Sequence, residues 1–322
     1  MSQECIYAVA RVRAREVFLL GKNDLERLMA CHSEKECLGV LRDKGWGRGE
    51  RSLSAEELLA AEEEKTWDFL HELTQDEAPF APLLVPIDGN NLKAAVKCAA
   101  AHTEPKNVFL PGGRWDGEAL LAMAQERDFS PLPPALALAA DRALQTFLQT
   151  GDGQLCDVIL DRACLEEILR LGRESGLPVL EQYGEWTAAT ADIQLAFRAV
   201  KAGKKREFLE LALAPCQSLD AAALAAAAAS GVKSLLDYLA ATPYSQGAQR
   251  LEQSVAAFEK WRDDGAIQLL QGEKAEYESA GPLVAYALAR RREIDAARMI
   301  LSGKRNGLED GRIRERLRET YV

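Results

Sequence analysis

Gly303-Lys304 is the pair in this chain that comes nearest to phosphate chemistry, because Gly-Lys ends the loop pattern Gly-x-x-x-x-Gly-Lys-Ser/Thr. That loop also needs an earlier turn glycine and a hydroxyl for magnesium, but Arg298 and Arg305 stand at those places. Gly303 therefore reads as a helix stop. Cys31-His32 with Cys37 offers metal-binding side chains, yet structural zinc takes four ligands in paired short spacings and no second pair lies nearby. The three histidines, His32, His71 and His102, have no recognisable Ser, Cys or Asp partner for general-base work. Acidic runs such as Glu62-Glu63-Glu64 and Asp263-Asp264 read as solvated helix faces. Pro111-Gly112-Gly113 reads as a turn, with no strand before it to build a dinucleotide site. Trp46, Trp115, Trp186 and Trp261 are scattered, which suits core anchoring better than a stacking platform. The expectation is a protein with no catalytic residue, no metal ligand and no cofactor.

Composition bounds the elements that carry these residues. The chain has 322 residues, of which 48% are hydrophobic and only 7% aromatic. Ala, Leu, Glu and Arg recur throughout, and these are strong helix formers. Extended Val/Ile/Thr runs are nearly absent, so the fold class is all-α. A net charge of −10 argues against nucleic-acid binding, which needs excess Lys and Arg along a phosphate track. Basic residues outnumber acidic ones from Arg290 to Arg318, which reads first as a solvated helix face. Seven cysteines without a Cys-x-x-Cys pair point to reduced thiols in the cytoplasm. The charged N-terminus leaves no apolar core for a signal peptide, and no run of about eighteen apolar residues predicts a membrane span.

Helical spacing predicts a first helix over 3–20, with Ile6, Val9, Val12, Val17 and Leu20 on its buried side. Asn23 or Asp24 caps the next, Ser33 with Glu36 opens a third, and Ser54 with Glu57 opens a fourth. Pro79, Pro82 and Pro86 predict an extended crossing before a helix from Asn91 to about Ala101. Later helices are expected near 120–125, 134–148, 154–173, 178–201, 221–229, 235–239, 248–271, 282–302 and 309–319.

Three segments echo one another: Asn91-Leu92-Lys93-Ala94-Ala95-Val96-Lys97, Asp192-Ile193-Gln194-Leu195-Ala196-Phe197-Arg198 and Ala296-Ala297-Arg298-Met299-Ile300-Leu301-Ser302. Their offsets of 101 and 104 residues are too long for a solenoid unit and suggest a helical domain present three times. The expected units are 1–110, 111–217 and 218–322. Three copies related by one repeated rotation would form a ring or funnel if that rotation were near a third of a turn.

Both ends of the chain resemble the C-subunit family of V-type (A/V-type) ATPases and ATP synthases, whose eukaryotic relative is the d subunit. The N-terminal match is Tyr7-Ala8-Val9-Ala10-Arg11-Val12-Arg13-Ala14-Arg15-Glu16 with Leu25-Glu26-Arg27-Leu28. The denser C-terminal match runs through Gly281-Pro282-Leu283-Val284-Ala285-Tyr286, Arg298-Met299-Ile300, Gly303-Lys304, Gly307-Leu308 and Ile313-Arg314-Glu315-Arg316-Leu317-Arg318 to Tyr321-Val322. The resemblance implies three similar helical subdomains in a pseudo-threefold, funnel-like arrangement. It implies a non-catalytic central-stalk subunit that joins the central shaft to the membrane proteolipid rotor ring. Such a protein would sit peripherally on the cytoplasmic face, one copy per complex. The clustering of Lys304, Arg305, Arg312 and Arg316 makes them candidate contacts to a partner. Two other readings fit the same composition: a soluble helical scaffold unrelated to rotary ATPases, and an enzyme with an unrecognised carboxylate site.

Overall fold

The computed structural model describes residues 3–50 and 52–322. Among them every regular element is helical, so the all-α class holds. The chain divides into two compact units, one built from residues up to Glu77 together with Gln253–Val322, the other from Ala78–Glu252.

The first unit begins with α1 (Gln3–Glu16), α2 (Lys22–Met29), α3 (Glu34–Asp43) and α4 (Ala55–Leu73), with a 3-10 turn at Trp46–Gly49. α1 ends short of the predicted residue 20. Among the described side chains of α1 only Ala8, Val9 and Val12 are buried, with Leu19 and Leu20 beyond it. Ile6 and Val17, expected in the core, are 45% and 78% exposed, and Tyr7 and Phe18 share that outer side. The cap of α2 falls at Gly21, and Asp24 reaches back to accept its N–H, a capping role from inside the first turn. Ser33 accepts from the Glu36 N–H, but the Glu36 carboxylate turns to the His32 N–H, so this box is only half closed. At Ser54 both halves form. Such caps satisfy orphan N–H groups and are worth about 1 kcal/mol each.

The second unit holds α5 (Ala81–Ala101), α6 (Gly117–Glu126), α7 (Pro134–Thr150), α8 (Gly153–Glu174), α9 (Pro178–Lys201), α10 (Arg206–Ala212), α11 (Ala221–Ala229), α12 (Val232–Ala240) and most of α13 (Ser245–Gln253). The extended crossing predicted at Pro82 and Pro86 is instead the first half of α5. Pro82 sits in its first turn, where a missing N–H costs nothing, and burial of Leu83, Val85 and Ile87 outweighs the bond lost at Pro86. α8 packs against α5, α7 and α9 and is the centre of this unit. Gly172 makes the α8–α9 approach possible, since a Cβ there would lie 2.6 Å from the Leu180 carbonyl oxygen.

The chain then returns to the first unit through α14 (Val255–Leu270), α15 (Gly281–Arg305) and α16 (Asp310–Arg316). The single helix expected over 248–271 is two. Ser254 breaks it by adopting extended backbone and accepting from the Ala257 N–H as the cap of α14. α15 is the spine of this unit, packing on α1, α2, α3, α4 and α16. Its Ile294, Ala297, Ile300 and Leu301 join Leu28, Leu41, Trp46 and Leu58 in one core. Among the described residues no helix is long and apolar enough to cross a membrane.

Candidate partner interface and buried charge network

Gly303 and Lys304 lie inside α15, whose cap is Asn306 with Gly307 at φ 62° beyond it. The predicted stop at Gly303 is thus displaced by a turn. Gly303 serves packing: a Cβ there would lie 2.5 Å from Ile313 Cδ1, so glycine admits α16 against α15. Lys304 is pulled inward, its side chain 7% exposed, and Nζ donates to the Met29 carbonyl at 2.6 Å and to Asp310 at 2.7 Å. That bond draws the Asp310 carboxyl below its ordinary pKa. Arg305 forks between Glu34 of α3 and Glu56 of α4 at 2.5 and 2.6 Å. Hydrogen bonds to these acids hold its guanidinium above its ordinary pKa. Arg314 makes a bidentate pair with Glu26 of α2 at 2.6 Å for each bond.

Arg312 and Arg316 differ. Both are exposed on α16 and neither has a side-chain partner among the described residues. Of the four candidate contacts, two are thus committed within the chain and two are displayed. A displayed, unpaired arginine keeps its bidentate donors for a carboxylate on another molecule. The C-terminal segment after α16 is tied down along α14. Lys260 donates to the Leu317 carbonyl at 2.6 Å, Arg318 pairs with Asp263 at 2.8 Å, and Asp264 accepts the Glu319 N–H at 2.7 Å. Burial pushes the Asp263 carboxyl up, but Arg262, Arg292 and Arg318 together bring it below the usual range.

The acidic runs read as solvated faces contain three buried members, Glu62, Asp263 and Asp264. Glu62 belongs to a charge network that counting charges along the sequence missed. Arg290 Nη2 meets Glu62 at 2.5 Å, Nη1 meets Glu293 at 2.6 Å, and Nε donates to Thr66 Oγ1 at 3.3 Å. Its guanidinium lies 5.2 Å from the Trp46 ring centre. The carboxylates also accept backbone N–H groups, Glu62 from Gly47 at 3.0 Å and Glu293 from Leu20 at 2.8 Å. Burial keeps the Glu293 carboxyl above its ordinary pKa against the pull of Arg290. Spacing holds the missed signal. Glu62 falls on the Leu58–Thr66–Phe69 side of α4, and Arg290 ends the apolar run Leu283–Ala289. With their oxygens engaged, these acids tie α4, α15 and the α1–α2 connection together.

The cysteines are free thiols. Cys31 and Cys37 Sγ donate to the carbonyls of Arg27 and Leu28, each at 3.4 Å. Burial pushes the Cys37 thiol up to about 12, the opposite of the depressed value a metal ligand needs. No group of three or more His, Cys, Asp or Glu that could hold a metal occurs among the described residues.

The model of the ATP synthase (C/AC39) subunit family matches residues 8–316. The C subunit of a V-type sodium ATPase from Enterococcus hirae is 22% identical over 323 residues, covering 96% of this chain and 97% of that protein. The match runs through both compact units and nearly end to end: the chain belongs to the ATP synthase (C/AC39) subunit family, the V-type ATPase family that its two ends resemble.

Proposed function

We propose that this chain is the non-catalytic central-stalk subunit of a V/A-type rotary ATPase, coupling the central shaft to the membrane proteolipid ring. The observation that carries the reading is the family match across residues 8–316, because it covers the basic C-terminal arm as well as the helical body. The chain acts peripherally on the cytoplasmic face, as one copy per complex. Torque transmission needs rigid bodies and broad contact surfaces. The long helices α5, α8 and α9 of one unit and α15 of the other, each packed within its own unit, support the first requirement. The three-unit organisation, 1–110, 111–217 and 218–322 around a pseudo-threefold funnel, is part of the proposal. It is supported by the echoed segments on α5, α9 and α15.

Arg312 and Arg316 are the contacts we assign to an acidic patch on a stalk or ring partner, while Lys304 and Arg305 hold α16 and α15 in place to display them. Interface charges of this kind set encounter rate and register more than total affinity. Reversal of both, Arg312→Glu with Arg316→Glu, tests the assignment by reconstitution with purified ring and shaft. Association should slow most at low salt and converge with wild type near 0.5 M salt, where screening extends over only a few ångströms. Equal association at every salt concentration would remove these residues from the interface.

A further inference from the structure

The echoed helices place a side chain at one recurring position, and the structure shows what it does there. Asn91 on α5 is 1% exposed and forms a two-way bond with the backbone of Leu110. Its Oδ1 accepts the Leu110 N–H at 2.7 Å and its Nδ2 donates to the Leu110 carbonyl at 2.8 Å. Asp192, the corresponding residue on α9, is also 1% exposed and holds the backbone of Ala214. Both its oxygens face the same N–H, at 3.2 and 3.0 Å. The third position is Ala296 on α15, which lines a small cavity beside Arg318–Val322 and offers no polar atom. One position thus carries an amide, an acid and a methyl group, and each faces the segment about twenty residues downstream.

The acid is unlike the amide in one respect: it titrates. Asp192 has no ion pair among the described residues, and a buried carboxylate without a cation is held towards its neutral form. We propose that Asp192 is a pH-sensitive latch, holding the segment 213–218 closed against α9 while protonated and releasing it as the carboxyl ionises.

The surroundings fit this role. From α8, Arg162 and Glu166 act on Asp192 with opposite sign, and Arg162 is already spent on Glu166 and on the carbonyls of Glu210 and Leu211. From the held segment, Cys216 senses the Asp192 charge, and burial pushes that thiol up to about 11. Glu185, two turns earlier on α9, accepts from the Gln217 and Ser218 N–H groups. α11 contributes only Ala and Leu side chains, and on α12 Tyr238 reaches the Asp220 carbonyl instead. Burial is the largest influence on Asp192 and, outweighing the Ala214 N–H that favours the charged form, raises its carboxyl from 3.8 to about 8. A folded value raised above the unfolded one means that the latch is tightest at low pH and is lost as pH rises to about 8.

Hydrogen exchange at the Ala214 amide, on the full chain from pH 5 to 9.5 with intrinsic exchange divided out, tests the latch. Protection should fall by up to about tenfold per pH unit as pH rises towards 8, the limit for one proton released on opening, and level off above. The Leu110 amide, held by Asn91, is the internal control and should stay flat. Asp192→Asn should flatten the Ala214 profile, and Asn91→Asp should transfer the slope to Leu110. The proposal is overturned by a flat wild-type profile at Ala214. It is equally overturned by a slope that survives in Asp192→Asn, or by parallel change at Leu110 and Ala214 in the wild type.

Discussion

Replacing Arg290 by methionine is the perturbation whose cost follows most directly from the geometry. Methionine keeps the length of the aliphatic stem, so packing beside Trp46 changes little. Glu62 and Glu293, 1% and 7% exposed, would lose their common cation. Glu62 retains the Gly47 N–H and the half-exposed Lys65 ammonium at 3.1 Å, whereas Glu293 retains only the Leu20 N–H, so the uncompensated charge falls on Glu293. Removing one partner from a buried pair costs about 3–5 kcal/mol, because the remaining charge is left without compensation. Against a typical stability of about 5–15 kcal/mol, such a loss is large. Urea unfolding followed by circular dichroism and tryptophan fluorescence measures it, with Trp46, 2% exposed, among the probes in this unit. The variant should be partly rescued at low pH, where the buried Glu293 carboxyl, already held above its ordinary pKa by burial, takes up a proton. Neutralising the acids as well, with Glu62→Gln and Glu293→Gln, should restore much of the loss, since glutamine still accepts from the Gly47 and Leu20 N–H groups. A loss below about 1 kcal/mol in Arg290→Met, the range of exposed pairs, would refute the argument that the network is buried and interdependent.

Further outcomes follow from the C-terminal arm and the latch positions. Lys304→Ala should destabilise the chain by about 1–3 kcal/mol, the cost of leaving the buried Met29 carbonyl without its donor. Arg312→Glu with Arg316→Glu should change unfolding by no more than about 0.5 kcal/mol, since both side chains are exposed; a comparable loss in both variants would contradict the division between committed and displayed cations. Ala296→Asn introduces the amide that Asn91 carries in the first copy, facing the segment Arg318–Val322. If the side chain bonds that backbone, tryptic cleavage after Arg316 and Arg318 should slow and stability should rise by about 0.5–1.5 kcal/mol. Faster cleavage with lower stability would show that the third position does not accept the latch.

The sequence was most legible where one physical signal acted alone. α9 and α11 start and stop where Pro178 and the alanine run with Gly231 predict, because propensity and capping agree there. It was least legible where burial overrode a local preference. Proline at 82 and 86 predicts extended chain, but Leu83, Val85 and Ile87 gain enough by burial to keep α5 continuous. Ser254 carries a cap signal within an otherwise helical pattern, and only the backbone shows that the helix breaks there. At the site, charge counting found the basic arm but not its wiring. That Lys304 turns inward and Arg305 is engaged by two surface acids depends on Met29, Glu34 and Glu56, which lie some 250 residues away in sequence. Glu62 and Arg290 were hidden for the same reason: each looks like a surface charge until α4 and α15 are brought together.

The most direct test of the central-stalk assignment is affinity isolation of the tagged chain from gently solubilised membranes, with quantitative mass spectrometry of everything that comes with it. A small proteolipid ring component and the coiled-coil shaft subunits should come with it, in amounts that fit one copy of this chain per complex. Recovery of the chain alone, or with partners that include neither ring nor shaft, would contradict that role while leaving the helical fold and the family membership in place.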